Sequence, residues 1–201
     1  IIRLNTNGTV DASFVQGGGF DANISALTTQ ADGKIMVGGD FLVYNGIVVN
    51  RIILLNPDGT LDASFISGIG LNTGTVEVIK DNAVGSIMLG GSFSGTYNGT
   101  NVNRLLLLDS NGVLDPIFDI GAGPGSASIL TLALEPDGSW YVGGSFSVFD
   151  SQNQGRLAKV YATGVLDIGY LTAGVGFDNS VLKVVSLPDN KTLVVGNFSK
   201  F

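Results

Sequence analysis

The apolar and polar positions of this chain form short runs, and no run has the sustained period of a helix. Residues 75–80 alternate polar and apolar side chains, as a half-buried strand does, and residues 86–93 predict a second strand. Residues 104–109 carry an unbroken apolar run that indicates a third strand buried on both faces. Residues 113–118 predict a short fourth strand, with Pro116 at a sheet edge. The pattern therefore predicts an all-β chain.

Tight turns join the first and second predicted strands of each such unit. The dipeptides Asp32-Gly33, Asp137-Gly138 and Asp189-Asn190 accept the positive φ angles of hairpin turns, and Val84-Gly85 takes the same place in the unit at 75–118.

An internal repeat of about 52 residues dominates the sequence. A Gly-x-Phe marker recurs in one register, with Gly39 and Phe41 followed by Gly91 and Phe93, Gly144 and Phe146, and Gly196 and Phe198. A second marker is an aspartate, at Asp11, Asp62, Asp115 and Asp167. A third is the turn pair before it, at Asn7-Gly8, Asp58-Gly59, Asn111-Gly112 and Thr163-Gly164. Three markers in one register identify a repeat protein.

Four antiparallel strands in each repeat of this length are what a β-propeller blade requires. The Gly-Gly pairs at the end of the second strand would let adjacent sheets approach closely, and the following Phe would fill the space between them. A β-helix is the rival fold, but its coils have much shorter periods and need no hairpin turns. We therefore expect a β-propeller of four-stranded blades.

The repeat boundaries divide residues 1–201 into one propeller of about four blades. We expect a part-blade at 1–14, blades at about 24–66, 75–118 and 128–170, and a part-blade at 181–201. The two part-blades could together close a four-bladed ring, but the loop that should join them has no counterpart. We therefore expect the chain to be part of a larger propeller, polypeptide or assembly.

Composition removes most catalytic chemistry. The chain has no His and no Cys, which excludes Ser-His-Asp and Cys-His nucleophile systems and zinc sites built from these side chains within it. The net charge is −7 and the ten basic residues are scattered, so we expect no nucleic-acid partner. No apolar run approaches the length of a membrane span, so we expect no membrane insertion.

The units resemble the delta-60 repeat, a β-propeller repeat family found in bacterial secreted and surface proteins and in some phage proteins. The resemblance is carried by the segments 34–41, 51–65, 86–93 and 104–118 and by Tyr44-Asn45-Gly46 and Tyr97-Asn98-Gly99. It covers essentially the whole chain, with the fourth unit the most diverged. It implies a propeller and an extracellular or cell-surface location, and it implies no shared catalytic residues.

The repeated polar residues are expected to be structural. An active site is normally built once, whereas the four aspartates recur in every unit, so we expect each to bond the backbone N–H groups of its own turn. Arginines recur in the same way and are expected to pair with an inter-blade carbonyl or carboxylate, at Arg51, Arg104 and Arg156. We expect no cofactor; calcium is the metal to consider, because loop Asp and Asn oxygens are hard ligands.

Residues that break the repeat are the better candidates for function. Trp140, the single Trp, is expected in the core, with a sugar-stacking surface as the alternative. The segments 42–50, 94–103 and 147–155 differ in sequence and are predicted to be loops on one rim, rich in residues suited to polar recognition.

Three functions remain open from the sequence. The first is a non-enzymatic scaffold, adhesion or protein-interaction module of an extracellular or surface-displayed bacterial protein, whose partner is a protein or a glycan surface. The second is a phage virion component, such as a tail or decoration protein. The third, a carbohydrate-active enzyme, has little support because the chain has no His and only two Glu, Glu77 and Glu135.

Overall fold

The computed structural model describes residues 1–15, 17–65, 68–82, 85–170 and 176–201, and in these residues every regular element is a β-strand. Val84, in the predicted turn at 84–85, and residue 66, the predicted end of a blade, lie outside the described residues.

Three complete units each form a three-stranded antiparallel sheet, which we call blades 1, 2 and 3. Their strands, in spatial order, are β1 (Ile24–Thr29), β2 (Ile35–Gly39) and β5 (Ile52–Leu55); β6 (Val76–Asp81), β7 (Ile87–Tyr97) and β8 (Thr100–Leu108); and β9 (Ile129–Leu134), β10 (Trp140–Gly144) and β13 (Leu157–Val160). A fourth sheet pairs β14 (Val181–Ser186) with β15 (Thr192–Gly196). Two small hairpin sheets pair β3 (Val43–Tyr44) with β4 (Ile47–Val48), and β11 (Val148–Phe149) with β12 (Gln152–Asn153).

The first strands of successive sheets lie beside one another in equivalent registers. Thr28 Oγ1 donates to Asp81 Oδ1 at 3.3 Å, and the N–H of Val184 donates to Thr131 Oγ1 at 3.1 Å; each bond joins residues one repeat apart. Apolar side chains fill the space between the sheets, as Met36 and Leu54 of blade 1 do against Leu89 and Leu106 of blade 2. Successive antiparallel sheets packed face to face in this way make the chain a β-propeller, which confirms the predicted fold.

The fourth strand of each blade is much shorter than predicted. Of residues 113–118, Leu114 alone forms a bridge, with Leu108, and Leu61 and Leu166 form equivalent bridges in blades 1 and 3. The strand stops because the chain turns at once: Asp115 accepts two bonds from its own turn, from the N–H groups of Ile117 and Phe118. Pro116 has no N–H to continue a ladder.

The prediction that the three rim segments are loops is wrong, because each segment forms a β-hairpin. Segments 42–50 and 147–155 contain the small hairpin sheets, and segment 94–103 is a continuous extension of β7 and β8. Positive φ at both central residues permits the two-residue turns, with φ values of 50° and 81° at Asn45 and Gly46 and of 49° and 85° at Asn98 and Gly99.

Trp140 lies in the core, as predicted. It is 2% exposed and packs in the apolar cluster between blades 2 and 3. Its burial contradicts the alternative of a sugar-stacking surface.

Candidate functional site

The Gly-Gly pairs have two different structural roles. A Cβ on the first glycine, as at Gly38 or Gly90, would overlap Val76 or Ile129 of the next sheet, so this glycine permits the close approach of blades. A Cβ on the second would overlap a main-chain carbonyl of its own sheet, that of Asn23, Thr75, Ser128 or Ser180 for Gly39, Gly91, Gly144 and Gly196 respectively. The second glycine therefore allows the bulge at which the first strand begins, a role the sequence pattern did not separate from the first.

The phenylalanines that follow these glycines are buried in the three complete blades but not near the C-terminal end. Phe41 and Phe93 are 0% exposed and Phe146 is 1% exposed. Phe198 is half-buried and its ring centroid lies 4.3 Å from that of Phe177.

Each repeated aspartate bonds its own turn. The Oδ1 atoms of Asp11, Asp62, Asp115 and Asp167 accept the N–H two residues further on, at 2.9, 2.8, 2.9 and 3.0 Å. The Ser13 hydroxyl, which donates to Asp11 Oδ1 at 2.7 Å, and then the Ser13 N–H hold the pKa of Asp11 below its usual value. The pKa of Asp62 is also lowered, chiefly by the Lys34 ammonium. The structure assigns each carboxylate to a separate turn and pairs none with another.

The three repeated arginines share a backbone conformation but differ in their contacts. Arg51, Arg104 and Arg156 have φ values of 75°, 64° and 73°, where the hairpin joins the third strand. Arg51 links blade 1 to the segment before blade 2, donating from Nε to the carbonyl of Gly74 at 2.6 Å and from Nη1 to that of Leu71 at 2.7 Å. Arg104 instead donates from Nη1 to Asn103 Oδ1.

The three hairpins occupy equivalent positions in the three complete blades, between the second and the third strand. The first residue of each hairpin turn braces the segment that precedes its blade. Asn45 Oδ1 accepts the N–H of Gly19 at 2.8 Å, Asn98 Oδ1 that of Gly70 at 2.9 Å, and Asp150 Oδ1 that of Ala122 at 2.9 Å. Sequence reasoning did not assign this role, although the repeated Tyr-Asn-Gly carried the signal.

Buried tyrosines fix two of the hairpins further. The hydroxyl of Tyr44 donates to the carbonyl of Gly59 at 2.7 Å, and that of Tyr97 donates to the carbonyl of Gly112 at 2.6 Å. Burial raises the pKa of both phenols, so they stay protonated and able to donate. Asp21 Oδ1 accepts the N–H groups of Leu42 and Val43, both at 2.9 Å. These two bonds lower the pKa of Asp21, and the bond from Val43 has the larger effect.

Each hairpin displays two residues immediately after its turn, and we call this set the hairpin rim: Ile47, Val48, Thr100, Asn101, Gln152 and Asn153. All six are exposed, with Val48 at 66% and Ile47 at 49%. The backbone repeats while the side chains change from an apolar pair to polar pairs. A fixed scaffold with variable tips is suited to recognition.

Among the described residues, no group of three or more His, Cys, Asp or Glu side chains is placed to hold a metal ion. The described residues also contain no helix of the length and apolarity needed to cross a membrane.

Two solved structures share this fold. Both are crystal structures of the extracellular domain of BT4673 from B. thetaiotaomicron, a protein assigned to a one-component system in one case and to a hybrid two-component system in the other. The sequence identity is 15% in both, and the TM-scores are 0.55 and 0.57. The alignments cover 94% and 96% of this chain but 22% and 23% of those chains, so this chain spans less than a quarter of their length. At this identity the likeness shows the fold alone.

The sequence itself also matches a known family. No curated protein matches the chain. A family model matches residues 1–14, 30–65, 85–118 and 135–167, which is more than half of the chain and falls in the same part of each repeat. The chain therefore belongs to the family described as "Domain of unknown function (DUF5122) beta-propeller".

Proposed function

We propose that this chain is a non-enzymatic β-propeller module that binds a protein or glycan surface through its hairpin rim. The observation that carries the proposal is the repetition of one braced hairpin with different exposed pairs, Ile47-Val48, Thr100-Asn101 and Gln152-Asn153. Binding to pre-formed hairpins costs little ordering of the chain, which favours recognition by a rigid rim.

The recurring carboxylates support a binding role over catalysis. Catalysis by two carboxylates needs them on either side of one reacting bond. Here one carboxylate oxygen each of Asp62, Asp115 and Asp167 accepts a backbone N–H of a separate turn. We accordingly assign no catalytic residue and no cofactor to the chain.

We place the module in an extracellular or surface-displayed bacterial protein. Two features support this location: the resemblance to the delta-60 repeat in segments such as 51–65 and 104–118, and the extracellular origin of the BT4673 domains that share the fold. The family match supports the propeller repeat itself.

The test begins with screening the chain against an array of bacterial surface polysaccharides and a displayed library of folded proteins. Binding of each hit is then measured for the double variant Ile47→Ser, Val48→Ser. We expect binding to weaken by about tenfold or more, because both side chains are exposed and would contribute contact area. The melting temperature should stay nearly unchanged, since surface substitutions usually alter stability by less than about 0.5 kcal/mol.

Exposed apolar residues outside the rim provide the matched control. Ile117 and Ile168 are 71% and 75% exposed and lie in the turns that follow the short fourth strands. The double variant Ile117→Ser, Ile168→Ser should bind as the parent chain does. Equal losses in the two double variants would show a general hydrophobic effect and would refute the rim as the binding surface.

A further inference from the structure

Blades 1 and 2 hold their repeated aspartates in the same way. Asp62 and Asp115 each accept the N–H two residues further on through Oδ1, at 2.8 and 2.9 Å. The N–H of each aspartate donates to the third strand of its blade, at the carbonyl of Leu54 or Leu107, and both bonds are 2.9 Å long. The second carboxylate oxygen, Oδ2, therefore has an equivalent place in the two blades.

The two carboxylates differ in whether a cation lies beside them. In blade 1, Lys34 Nζ lies 2.8 Å from Asp62 Oδ2. Ser86 stands at the position of Lys34 in blade 2, since each residue directly precedes the second strand of its blade. Among the described residues, no Lys or Arg side chain forms an ion pair with Asp115. Blade 1 thus shows that this carboxylate position accepts a primary ammonium group, which the described side chains of blade 2 do not supply.

A groove of about 640 Å³ adjoins Asp115. It lies between the β8 residues from Thr100 to Leu107 and the segment from Val113 to Gly121, and Asp115 is one of its lining residues. The volume falls within the range of about 300–1,000 Å³ that small-molecule sites occupy. The carboxylate without a cation therefore borders a space large enough for a ligand.

The lining of the groove combines apolar surface with negative charge. Most lining residues are aliphatic or aromatic, and Val102 and Phe118 are only partly covered by the rest of the chain. Asp115 and Asp119 are the charged side chains of the lining, and the described residues that line it include no Lys or Arg. Asp119 Oδ1 accepts the N–H of Gly121 at 2.9 Å, which orients this carboxylate. Such a site complements a ligand with an apolar body and a positive charge.

We propose that this groove binds a small organic amine, whose ammonium group pairs with Asp115 and whose apolar body lies against the apolar lining. The ammonium takes the place at Asp115 Oδ2 that Lys34 Nζ takes at Asp62 Oδ2. The contact is a charge-assisted hydrogen bond, which is stronger than a neutral one. The groove has room for a whole small molecule, whereas a lysine stem of a partner protein would fill only part of it. This site is separate from the apolar pair of the rim.

The probe is 2-phenylethylamine, and 2-phenylethanol is its neutral counterpart of nearly the same size and shape. Binding of each compound to the full chain is measured by NMR titration, with the amides of the groove residues Val113, Phe118 and Gly121 as reporters of the site. We expect the amine to bind about tenfold more tightly than the alcohol, because only the amine is charged at neutral pH. Equal binding of the two compounds, or no change at the groove amides, would overturn the proposal.

Removal of the charge at Asp115 tests the carboxylate. Asp115→Asn keeps the Oδ1 acceptor of the turn, so it should weaken binding of the amine about tenfold and leave binding of the alcohol unchanged. Asp62→Asn, the same change in blade 1, is the matched control and should bind the amine as the parent chain does. Equal losses in the two variants would show a general effect of the negative charge of the chain and would refute the assignment to Asp115.

Ser86→Lys transfers the ion pair of blade 1 to blade 2. The introduced ammonium should pair with Asp115 as that of Lys34 does with Asp62, so binding of the amine should fall about tenfold or more. Ser86→Gln, which adds a long uncharged side chain at the same position, is the control and should bind the amine normally. Full affinity in Ser86→Lys would contradict the proposed place of the ammonium. If Ser86→Lys fails to fold, Asp115→Asn and the comparison of the two compounds still decide the question.

A lysine side chain of a partner protein is the other source of an ammonium group. Nα-acetyl-lysine N-methylamide presents that side chain, and we expect it to bind more weakly than 2-phenylethylamine, because it buries less apolar surface in the groove. Tighter binding of the lysine derivative would show that the groove takes a protein lysine, and the small-amine proposal would be wrong. The rim variant Ile47→Ser, Val48→Ser should retain amine binding, so failure of the rim proposal and failure of this one give different results.

Discussion

The interface between blades 1 and 2 and the interface between blade 3 and the β14–β15 sheet use the same repeat positions with opposite chemistry. On blade 1, Met36, Leu54 and Phe65 are buried in one apolar cluster with blade 2. The equivalent positions of blade 3 hold Tyr141, Lys159 and Tyr170. The backbone of the two blades is nevertheless the same, with the same register between second and third strands.

The polar residues of blade 3 are accommodated because they contact one another. The ring centroids of Tyr141 and Tyr170 are 5.3 Å apart, and Lys159 Nζ lies 5.5 Å from the Tyr141 centroid. Lys159 Nζ also lies 3.7 Å from Asp137 Oδ2. Glu135, two residues before Asp137, is buried with 8% exposure. Burial, followed by the charges of Tyr141 and Glu135, raises the pKa of the Tyr170 phenol. The comparison teaches that the repeat requires a filled interface, and that polar residues can fill it as a set with mutual partners.

The largest expected effect comes from placing the lysine of one interface in the other. Leu54→Lys should lower the free energy of unfolding by about 3 kcal/mol or more, because Leu54 is 1% exposed in an apolar cluster. Asp32 stands at the position of Asp137, but it already lies 3.7 Å from the Lys34 ammonium. The reverse change, Lys159→Leu, should be nearly neutral or stabilise the fold by about 1 kcal/mol. Chemical denaturation of both variants measures the two effects. A comparable loss in both variants would mean that the two interfaces do not differ in tolerance.

A smaller effect is expected from exchanging a single hydroxyl group. Phe65→Tyr should cost about 1–3 kcal/mol, because the tip of the Phe65 ring already packs closely on Gly112 of blade 2. Tyr170→Phe should cost less than about 1.5 kcal/mol, the value of a hydrogen bond. Thermal unfolding of the two variants gives the comparison. If Tyr170→Phe were the more damaging change, the hydroxyl would hold the blade 3 interface together.

The smallest effect is a difference in acid stability. Lys34 Nζ lies 2.8 Å from Asp62 Oδ2 in blade 1, whereas Ser139 stands at the position of Lys34 in blade 3. The Lys34 ammonium lowers the pKa of Asp62, so the stabilisation is present above the unfolded pKa of about 3.9 and is lost as the pH falls through the folded pKa.

The measurement is urea unfolding at a series of pH values from neutral to acid. Asp62→Asn should reduce stability at neutral pH and flatten the decline below about pH 4 relative to the parent chain. Ser139→Thr, a change at the equivalent position of Lys34 in blade 3, should leave the slope with pH unchanged, because it keeps the hydroxyl that donates to Asp137 and lowers its pKa. Parallel curves for Asp62→Asn and the parent chain would show that the pair makes no pH-dependent contribution.

Sequence patterns predicted the residues whose function is local. Gly39 and its equivalents and Asp62 and its equivalents act through their own backbone or that of near neighbours, so their spacing is visible in one dimension. The length of the fourth strand was overestimated, because alternation at 113–118 continues past the turn that Asp115 imposes. The rim segments were assigned as loops because their polar composition concealed short ladders.

By itself, the sequence determined the all-β class, the repeat period and the propeller, because these depend on turn residues and on side chains that recur in every unit. Only the tertiary structure decided which surfaces are available. Tyr97 and Trp140 are buried while Ile47 and Val48 are exposed. The residue type alone does not predict this difference, because all four side chains are apolar or aromatic. The two hydrogen bonds between Thr96 and Asn72 likewise join segments that only folding brings together. Exposure and backbone pairing depend on the neighbours that folding brings together, and the order of residues along the chain does not specify those neighbours.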